Sequence, residues 1–392
     1  MSVPVVLVSG LHAPARGAVV RRLLREHPGA IAIHHDLRDV TRGKVERVVR
    51  AATGVLDIDE VRLAHGCVSC TIREDLVPEL LRRAGTASLL IADLWDSVEP
   101  RSVAEALDGV PDGAPESAAG AFRLTAVLTA LDSVHMPADI CRGDLLSDAG
   151  KPAAAGDGRY VAEVLARQIE YATGLVVERG LGDDEDVELT VTVLGHLAPV
   201  TPTVLPGHAL PDVAGPGLCT GELAARVDPA TARLPVDRET GEIGTVVWHR
   251  LRPLHPGRLY EAVDELVTGS VRSRGRFWLA NRHERMLAWD AVAGVISMED
   301  AGPWLAALPE AAWEMVTPAR RAAAALDWAP AVGDRVQHLV FTGPDLDRRR
   351  IHDLLDSCLL TPEESVAGSD VWAGFDDPFA PLLDRAETKE TA

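Results

Sequence analysis

The strongest constraint on the fold is the alternation of short β-branched runs with helical patterns along residues 1–203. Val3 to Ser9, V-P-V-V-L-V-S, has the pattern of a strand that stops at Gly10, and a segment with Val19, Val20, Leu23 and Leu24 on one apolar side follows. Ala30 to His34 repeats the strand pattern. Lys44 to Ala52 reads as a helix, and so does Ile72 to Arg83, with Pro78 tolerable only in its first turn. Ser88 to Ala92 reads as a buried strand ending at Asp93, residues 111 to 120 as a loop, and Phe122 to Leu131 as a strand ending at Asp132. A helix over Tyr160 to Tyr171 and a strand over Gly174 to Val177 extend the pattern to about Pro202. Strands joined by crossover helices form a mostly parallel sheet, with functional loops at the strands' carboxyl ends.

Residues 204–244 are broken by proline and glycine and read as an interdomain linker. Beyond them, strand patterns at 245 to 251, 276 to 280 and Val336 to Thr342 mix with helical ones at Pro256 to Val267, around Pro309 and at Ile351 to Leu359. Strands and helices are not regularly paired here, so residues 245–364 are expected to form a smaller α+β domain. Residues 365–392 read as a loose acidic tail. The expected class is therefore α/β, a mostly parallel sheet domain of P-loop-like layout followed by a smaller α+β domain.

A chain of 392 residues suits two such domains at about 150 residues each. Its 39 Lys+Arg stand against 59 Asp+Glu, a formal charge of −20 that repels a phosphate polyanion, so generic nucleic-acid binding is disfavoured. No apolar run approaches the roughly 20 residues of a membrane span, and Met1-Ser2-Val3-Pro4 lacks a signal peptide's basic flank. A cytoplasmic location is expected. The cysteines, five without framework spacing, fit a reducing compartment in which a close thiol pair is a metal or redox site more often than a disulfide.

Cys67 and Cys70 form that pair, with His65 two residues upstream of Cys67. Thiolates at Cys-x-x-Cys spacing can both reach one tetrahedral Zn²⁺, and His65 or an outside ligand could fill a further position. Two packed thiols and a redox pair are the alternatives. A second candidate is the loop after the first strand, Gly10-Leu11-His12-Ala13-Pro14-Ala15-Arg16-Gly17, which stands where a phosphate-binding chain carries G-x-x-x-x-G-K-[ST]. Gly10 keeps the first position, but Ala15 replaces the second glycine, Arg16 the lysine and Gly17 the Mg²⁺-binding hydroxyl, while Pro14 removes one N–H donor. An ordinary strand-to-helix turn is the favoured reading of this loop, although Arg16 could still hold an anion. No Ser-His-Asp arrangement or catalytic carboxylate pair is identifiable, so no catalytic residue is assigned. His34 and His35 read as histidines without a metal role, since adjacent strand residues face opposite sides. Eight arginines (Arg250, Arg252, Arg258, Arg272, Arg274, Arg276, Arg282, Arg285) make residues 250–285 locally basic, either as a face paired with carboxylates or as a partner surface.

With these motifs placed, the chain resembles the CobW-type GTPases, a family of metal-handling and metal-insertion proteins. Gly66 to Leu76, G-C-V-S-C-T-I-R-E-D-L, is similar to that family's G-C-x-C-C and T-x-R-x-D-L signature, with Ser69 in place of the middle cysteine. In the second domain, R-P-x-H-P-x-R-L (Arg252 to Leu259), R-S-x-G-x-x-W-L (Arg272 to Leu279), W-x-P-x-x-G-D-R (Trp328 to Arg335) and L-D-x-C-L-L-T-P-E-E (Leu355 to Glu364) resemble the family's C-terminal domain, and Gln168 to Ala172 is a further match.

The departures concern the nucleotide. The family's E-T-x-G appears as Asp93-Leu94-Trp95-Asp96, and its guanine-reading N-K-x-D as Glu178-Arg179-Gly180-Leu181. The resemblance thus implies a metal site at Cys67, Cys70 and His65 for zinc or another thiophilic divalent ion. It also implies a degenerate nucleotide site at Gly10, Arg16, Gly17 and Asp93, at which GTP with Mg²⁺ is expected to bind poorly and be hydrolysed weakly or not at all. The G-C-V-S-C form is also similar to the actinobacterial zinc-responsive members that recruit a hibernation factor to ribosomes. A zinc-linked recruitment protein is the first functional expectation, with the ribosome or that factor as partner. A GTP-dependent metallochaperone delivering zinc or cobalt to a client protein is the alternative.

Overall fold

Each apolar run at the start of the chain becomes a strand of one sheet. The structure, a computed structural model, describes residues 2–63, 65–108 and 120–384. It divides into two units, Met1–Ala224 and Ala225–Ala392, whose sheets are separate. The first unit contains β1 (Val3–Ser9), β2 (Ala30–Asp36), β3 (Lys44–Ala51), β4 (Gly54–Arg62), β5 (Leu89–Asp93), β6 (Phe122–Asp132), β7 (Gly174–Glu178) and β8 (Thr203–Val204), in the order β4-β3-β2-β5-β1-β6-β7-β8. Pairing is parallel from β2 through β8, as the alternation implied, and antiparallel where β3 joins β2 and β4 joins β3. Val5 to Val8 are fully buried, as a central strand covered on both faces requires. The helix Ala13–Glu26 lays Val19, Val20, Leu23 and Leu24 against that sheet, and Pro14 sits in its first turn, where the missing N–H has no intrahelical partner to lose.

The segment read as a helix at Lys44 to Ala52 is strand β3. Val45, Arg47 and Val49 alternate inward, and a tight turn at Ala52 and Thr53 returns the chain as β4. The period of two, and the β-branched Val45, Val48 and Val49, outweighed the helical spacing. The helix expected over Ile72 to Arg83 begins earlier, as Val68–Thr71, widens into a π-helical turn over Ile72–Leu76, and continues as Val77–Ala84. The wide turn lies just before Pro78, whose ring and missing N–H do not fit a regular i→i−4 ladder.

In the second unit β9 (Arg238–Thr240), β10 (Ile243–Arg250), β11 (Arg272–Phe277), β12 (Arg285–Val292), β13 (Val295–Pro303) and β14 (Gln337–Pro344) form an antiparallel sheet in the order β13-β12-β11-β14-β10-β9. The β12–β13 hairpin was not expected; it turns at Ala293 and Gly294, both at positive φ. Helices Pro256–Thr268 and Arg348–Cys358 pack together and close a core with Trp248, Phe277, Trp289, Leu339 and Phe341.

Residues 204–244 do not form a free tether. Val213 is fully buried in the first unit's core and Leu223 is buried, while Ala230 belongs to a core cluster of the second unit. Most of the loop expected over 111–120 lies outside the described residues, as do residues 385–392 of the expected tail. Residues 365–384 are built into the second unit. Phe379 and Leu383 enter its core, Phe375 stacks on His255 at 4.7 Å, and Trp372 Nε1 donates to Glu364 O at 2.7 Å. Their aromatic content overrides the acidic composition. Among the described residues no helix is long and apolar enough to cross a membrane.

Gly10 sits at φ +136°, and a Cβ there would lie 2.2 Å from the Ala130 carbonyl oxygen. Gly10→Ala is therefore expected to cost about 2 kcal/mol or more by denaturant unfolding, whereas Gly85→Ala, with nothing within 4 Å, should change stability little.

Candidate functional site

The loop after β1 closes on its own arginine. Arg16, in the first turns of the helix, is 3% exposed; its Nε donates to Asp93 Oδ1 at 2.8 Å, and its Nη1 donates to Asp96 Oδ1 at 2.7 Å and to Gly10 O at 2.7 Å. Burial alone would disfavour the charged guanidinium, but Asp93 and Asp96 reverse this and raise its pKa. Asp96 takes a second cation, Lys151, which also donates to Leu11 O at 3.0 Å. The loop bearing Asp96 is held by Gln168, whose buried side-chain amide donates to Asp96 O at 2.8 Å and Val98 O at 3.0 Å. His12 accepts the Asp132 N–H at Nδ1 (3.2 Å), which leaves Nε2–H to donate to Asp139 Oδ2 at 3.0 Å. Gly10, Arg16 and Asp93 thus converge, around an internal ion pair. Gly17 follows on the helix and offers no hydroxyl. In the Glu178 to Leu181 segment, Leu181 is fully exposed and Arg179 pairs with Asp184 at 2.7 Å.

The thiol pair lies at the head of a helix. Cys67 is the extended residue preceding Val68–Thr71, its carbonyl accepts the Thr71 N–H at 3.1 Å, and Cys70 falls in that first turn. Gly66 is required because a Cβ would lie 2.0 Å from Val40 O. The neighbouring Cys67 side chain, then burial, then Glu74 push the Cys70 thiol above its ordinary pKa. Cys67 is half-buried and Cys70 buried, whereas His65 is exposed. Among the described residues no three His, Cys, Asp or Glu side chains are grouped to hold a metal ion, so His65 does not join the thiols. Glu74 was not anticipated, although its i+4 spacing from Cys70 was a readable signal. Lys151, in a Gly/Ala/Pro segment, gave none.

Asp75 of the same motif fastens this helix to the sheet. Its Oδ1 accepts from Arg47 Nη1 at 2.7 Å and its Oδ2 lies 2.7 Å from His35 Nε2. Arg47, 5% exposed, also pairs with Asp59 and, at 3.6 Å, with Asp57. Burial pushes the Asp75 carboxyl up, but His35 and Arg47 outweigh it and hold it below its ordinary value. Burial holds His35 down and neutral, against the pull of Asp75.

In the second unit the arginines of residues 250–285 are largely neutralised in place. Arg250 pairs with Asp356 at 2.7 Å, Arg258 with Glu364 at 2.6 Å, Arg282 with Asp377 at 2.6 Å and Arg285 with Asp300 at 2.7 Å, while Arg272 and Arg276 contact Asp290 and Asp327. The carboxylate-paired reading of the cluster is the one the geometry favours.

Two stability outcomes follow from these contacts. Arg16→Met leaves two buried carboxylates short of a partner and should cost about 3–5 kcal/mol in urea unfolding, with a smaller loss for Arg16→Lys. His35 is neutral when folded, so its contribution is complete above its unfolded pKa of about 6.5 and is lost as pH falls from there towards the lowered folded value. His35→Gln should flatten the decline of the unfolding midpoint between about pH 6.5 and 5.

Comparison with known proteins places these features. Residues 243–359 match the cobalamin synthesis protein cobW C-terminal domain. A zinc chaperone of Mycobacterium tuberculosis is 32% identical over 396 residues, 97% of this chain and 93% of that protein. Zinc-regulated GTPase metalloprotein activator 1 of Dictyostelium discoideum is 26% identical over 81% of this chain and 70% of its own length. The Zn(II)-bound YjiA GTPase from E. coli aligns at 14% identity over 92% of this chain and all of that one, with a TM-score of 0.38.

Proposed function

The chain belongs to the CobW-type family of metal-handling GTPases, and we propose that it is a zinc-handling protein that carries the ion as cargo on Cys67 and Cys70 and passes it to, or withholds it from, a client protein. The observation that carries this reading is the placement of the two thiols on one helical turn, Cys67 just before Val68–Thr71 and Cys70 within it. Two thiolates are strong Zn²⁺ ligands, and two protein ligands leave coordination positions open for a client's own side chains. Such a site suits transfer better than permanent storage. Relatives named as a zinc chaperone and as a zinc-regulated metalloprotein activator support the choice of ion.

GTP with Mg²⁺ does not fit the loop as this chain builds it. A triphosphate needs converging N–H donors, a free cation and a hydroxyl for Mg²⁺. Here Pro14 lacks the N–H, Arg16 is committed to Asp93 and Asp96, and Gly17 has no side chain. The chain is therefore read as hydrolysing GTP weakly or not at all. A finer reading, recruitment of a hibernation factor to ribosomes in the cytoplasm under zinc limitation, is supported by the G-C-V-S-C form of the thiol motif. The paired arginines of the second unit favour a protein contact there over an RNA one.

Purified full-length chain should take up about one Co²⁺ or Zn²⁺, with thiolate-to-Co²⁺ charge-transfer absorption that Cys67→Ser and Cys70→Ser each abolish. Absence of that absorption in the unmodified chain would rule out the cargo site. A fluorescent guanine nucleotide should show no Mg²⁺-dependent binding at micromolar concentrations, and saturation in that range would restore a working nucleotide site.

A further inference from the structure

Among the described residues, no second strand pairs with the outer edge of the strand that precedes the thiols. β4 closes the first unit's sheet order, and among the described residues its one strand neighbour is β3. Its Val55, Leu56 and Ile58 are 55%, 49% and 58% exposed. An edge strand presents a row of backbone N–H and C=O groups to whatever can pair with them, and folded chains usually cover or blunt such an edge. The second unit's own nine-residue terminal strand, β13, has the helix Ala380–Leu383 packed against it. β4, also nine residues, carries instead exposed apolar side chains interleaved with Asp57, Asp59 and Glu60.

Charge selects what can add there. A second copy of β4 in antiparallel register centred on Asp57, Ile58 or Asp59 sets acidic side chains directly opposite one another: Asp57 against itself, Asp57 against Asp59, and Asp59 against itself. Like charges directly opposite destabilise a strand pair, whereas lysine or arginine opposite these carboxylates stabilises it. Asp57 already pairs with Arg47 and Arg83, Asp59 with Arg47, and Glu60 with Lys44 and Arg62, but most of these contacts are 3.4 Å or longer and the three side chains are 37%, 54% and 51% exposed, which leaves carboxylate surface for a further cation.

The edge is also bonded to the thiol helix. Arg47 joins Asp57 and Asp59 of β4 to Asp75 of the helix that Cys67 heads, and β4 ends at Arg62, five residues before Cys67. We infer that β4 is a docking edge on which an extended segment of the client protein, alternating apolar residues with Lys or Arg, adds as a further strand beside Cys67 and Cys70. That the added strand's owner is the zinc recipient rests on the function proposed above; the edge itself does not.

The test uses full-length chain and a fluorescein-labelled nine-residue peptide alternating valine with lysine, against the same peptide with glutamate for lysine. The lysine peptide should bind at least about tenfold tighter and slow amide hydrogen exchange across residues 54–62. Ile58→Lys and Asp59→Lys should each weaken it about fivefold, with unfolding midpoints recorded to confirm that both variants fold. Equal affinity for the two peptides, or no protection of β4, overturns the inference. So does protection of β4 that appears without peptide and tracks dimer formation in sedimentation, which would make the occupant a second copy. Running the titration with and without Zn²⁺, and in Cys67→Ser, separates the two readings. Peptide binding by a chain that holds no zinc keeps the edge and removes the cargo function, whereas zinc uptake without peptide binding does the reverse.

Discussion

A guanidinium that is 3% exposed needs counter-charges within bonding distance, because an unpaired ion in a desolvated site costs several kcal/mol. Arg16 finds two, Asp93 at the end of β5 and Asp96 three residues on, and so ties the loop after β1 to the loop after β5. Gly10 completes the arrangement, since only a residue without a Cβ can turn beneath the Ala130 carbonyl and offer its own oxygen to the same guanidinium. In a nucleotide-binding relative this corner of a parallel sheet stays open for phosphate. Here the protein's own carboxylates take the cation, and Gln168, through the Asp96 carbonyl, and Lys151, through its carboxylate, hold Asp96 there.

A second buried ionic group, His35–Asp75–Arg47, does for the thiol helix what Arg16 does for the loop. Arg47 comes from β3, His35 from β2 and Asp75 from the helix, so side chains from three segments must be satisfied together. Half-satisfied groups of this kind are costly, which makes the position of the helix, and of Cys67 and Cys70 at its head, a consequence of the sheet behind it. The aspartate of the T-x-R-x-D-L signature is thereby explained as an anchor.

Some of this was legible in the chain and some was not. The strands at Val3–Ser9 and Gly174–Glu178 are apolar runs bounded by loops, and the parallel sheet follows from them. Lys44–Ala51 is harder, since its valines satisfy helical spacing as well as a period of two, and only pairing with β2 and β4 decides between them. The β12–β13 hairpin turns at Ala293–Gly294, a weak turn signal in a stretch whose polar residues obscure the alternation. The acidic composition after Glu364 concealed Phe375 and Phe379, whose burial outweighs the charge around them.

At the site, the sequence alone determined the chemical inventory: two thiols at one-turn spacing, a loop without its lysine and hydroxyl, and a motif without its guanine-binding carboxylate. These are statements about which atoms exist, and covalent structure settles them. Which of those atoms meet is a matter of three-dimensional approach. The pairing of Arg16 with Asp93 and Asp96 spans about eighty positions of chain, and that of Asp75 with His35 spans 40. Neither has a local spacing rule to betray it. The tertiary structure alone decided that the arginine in the loop after β1 is occupied and that the strand before the thiol motif is the terminal strand of its sheet, because both depend on which segments the sheet places side by side.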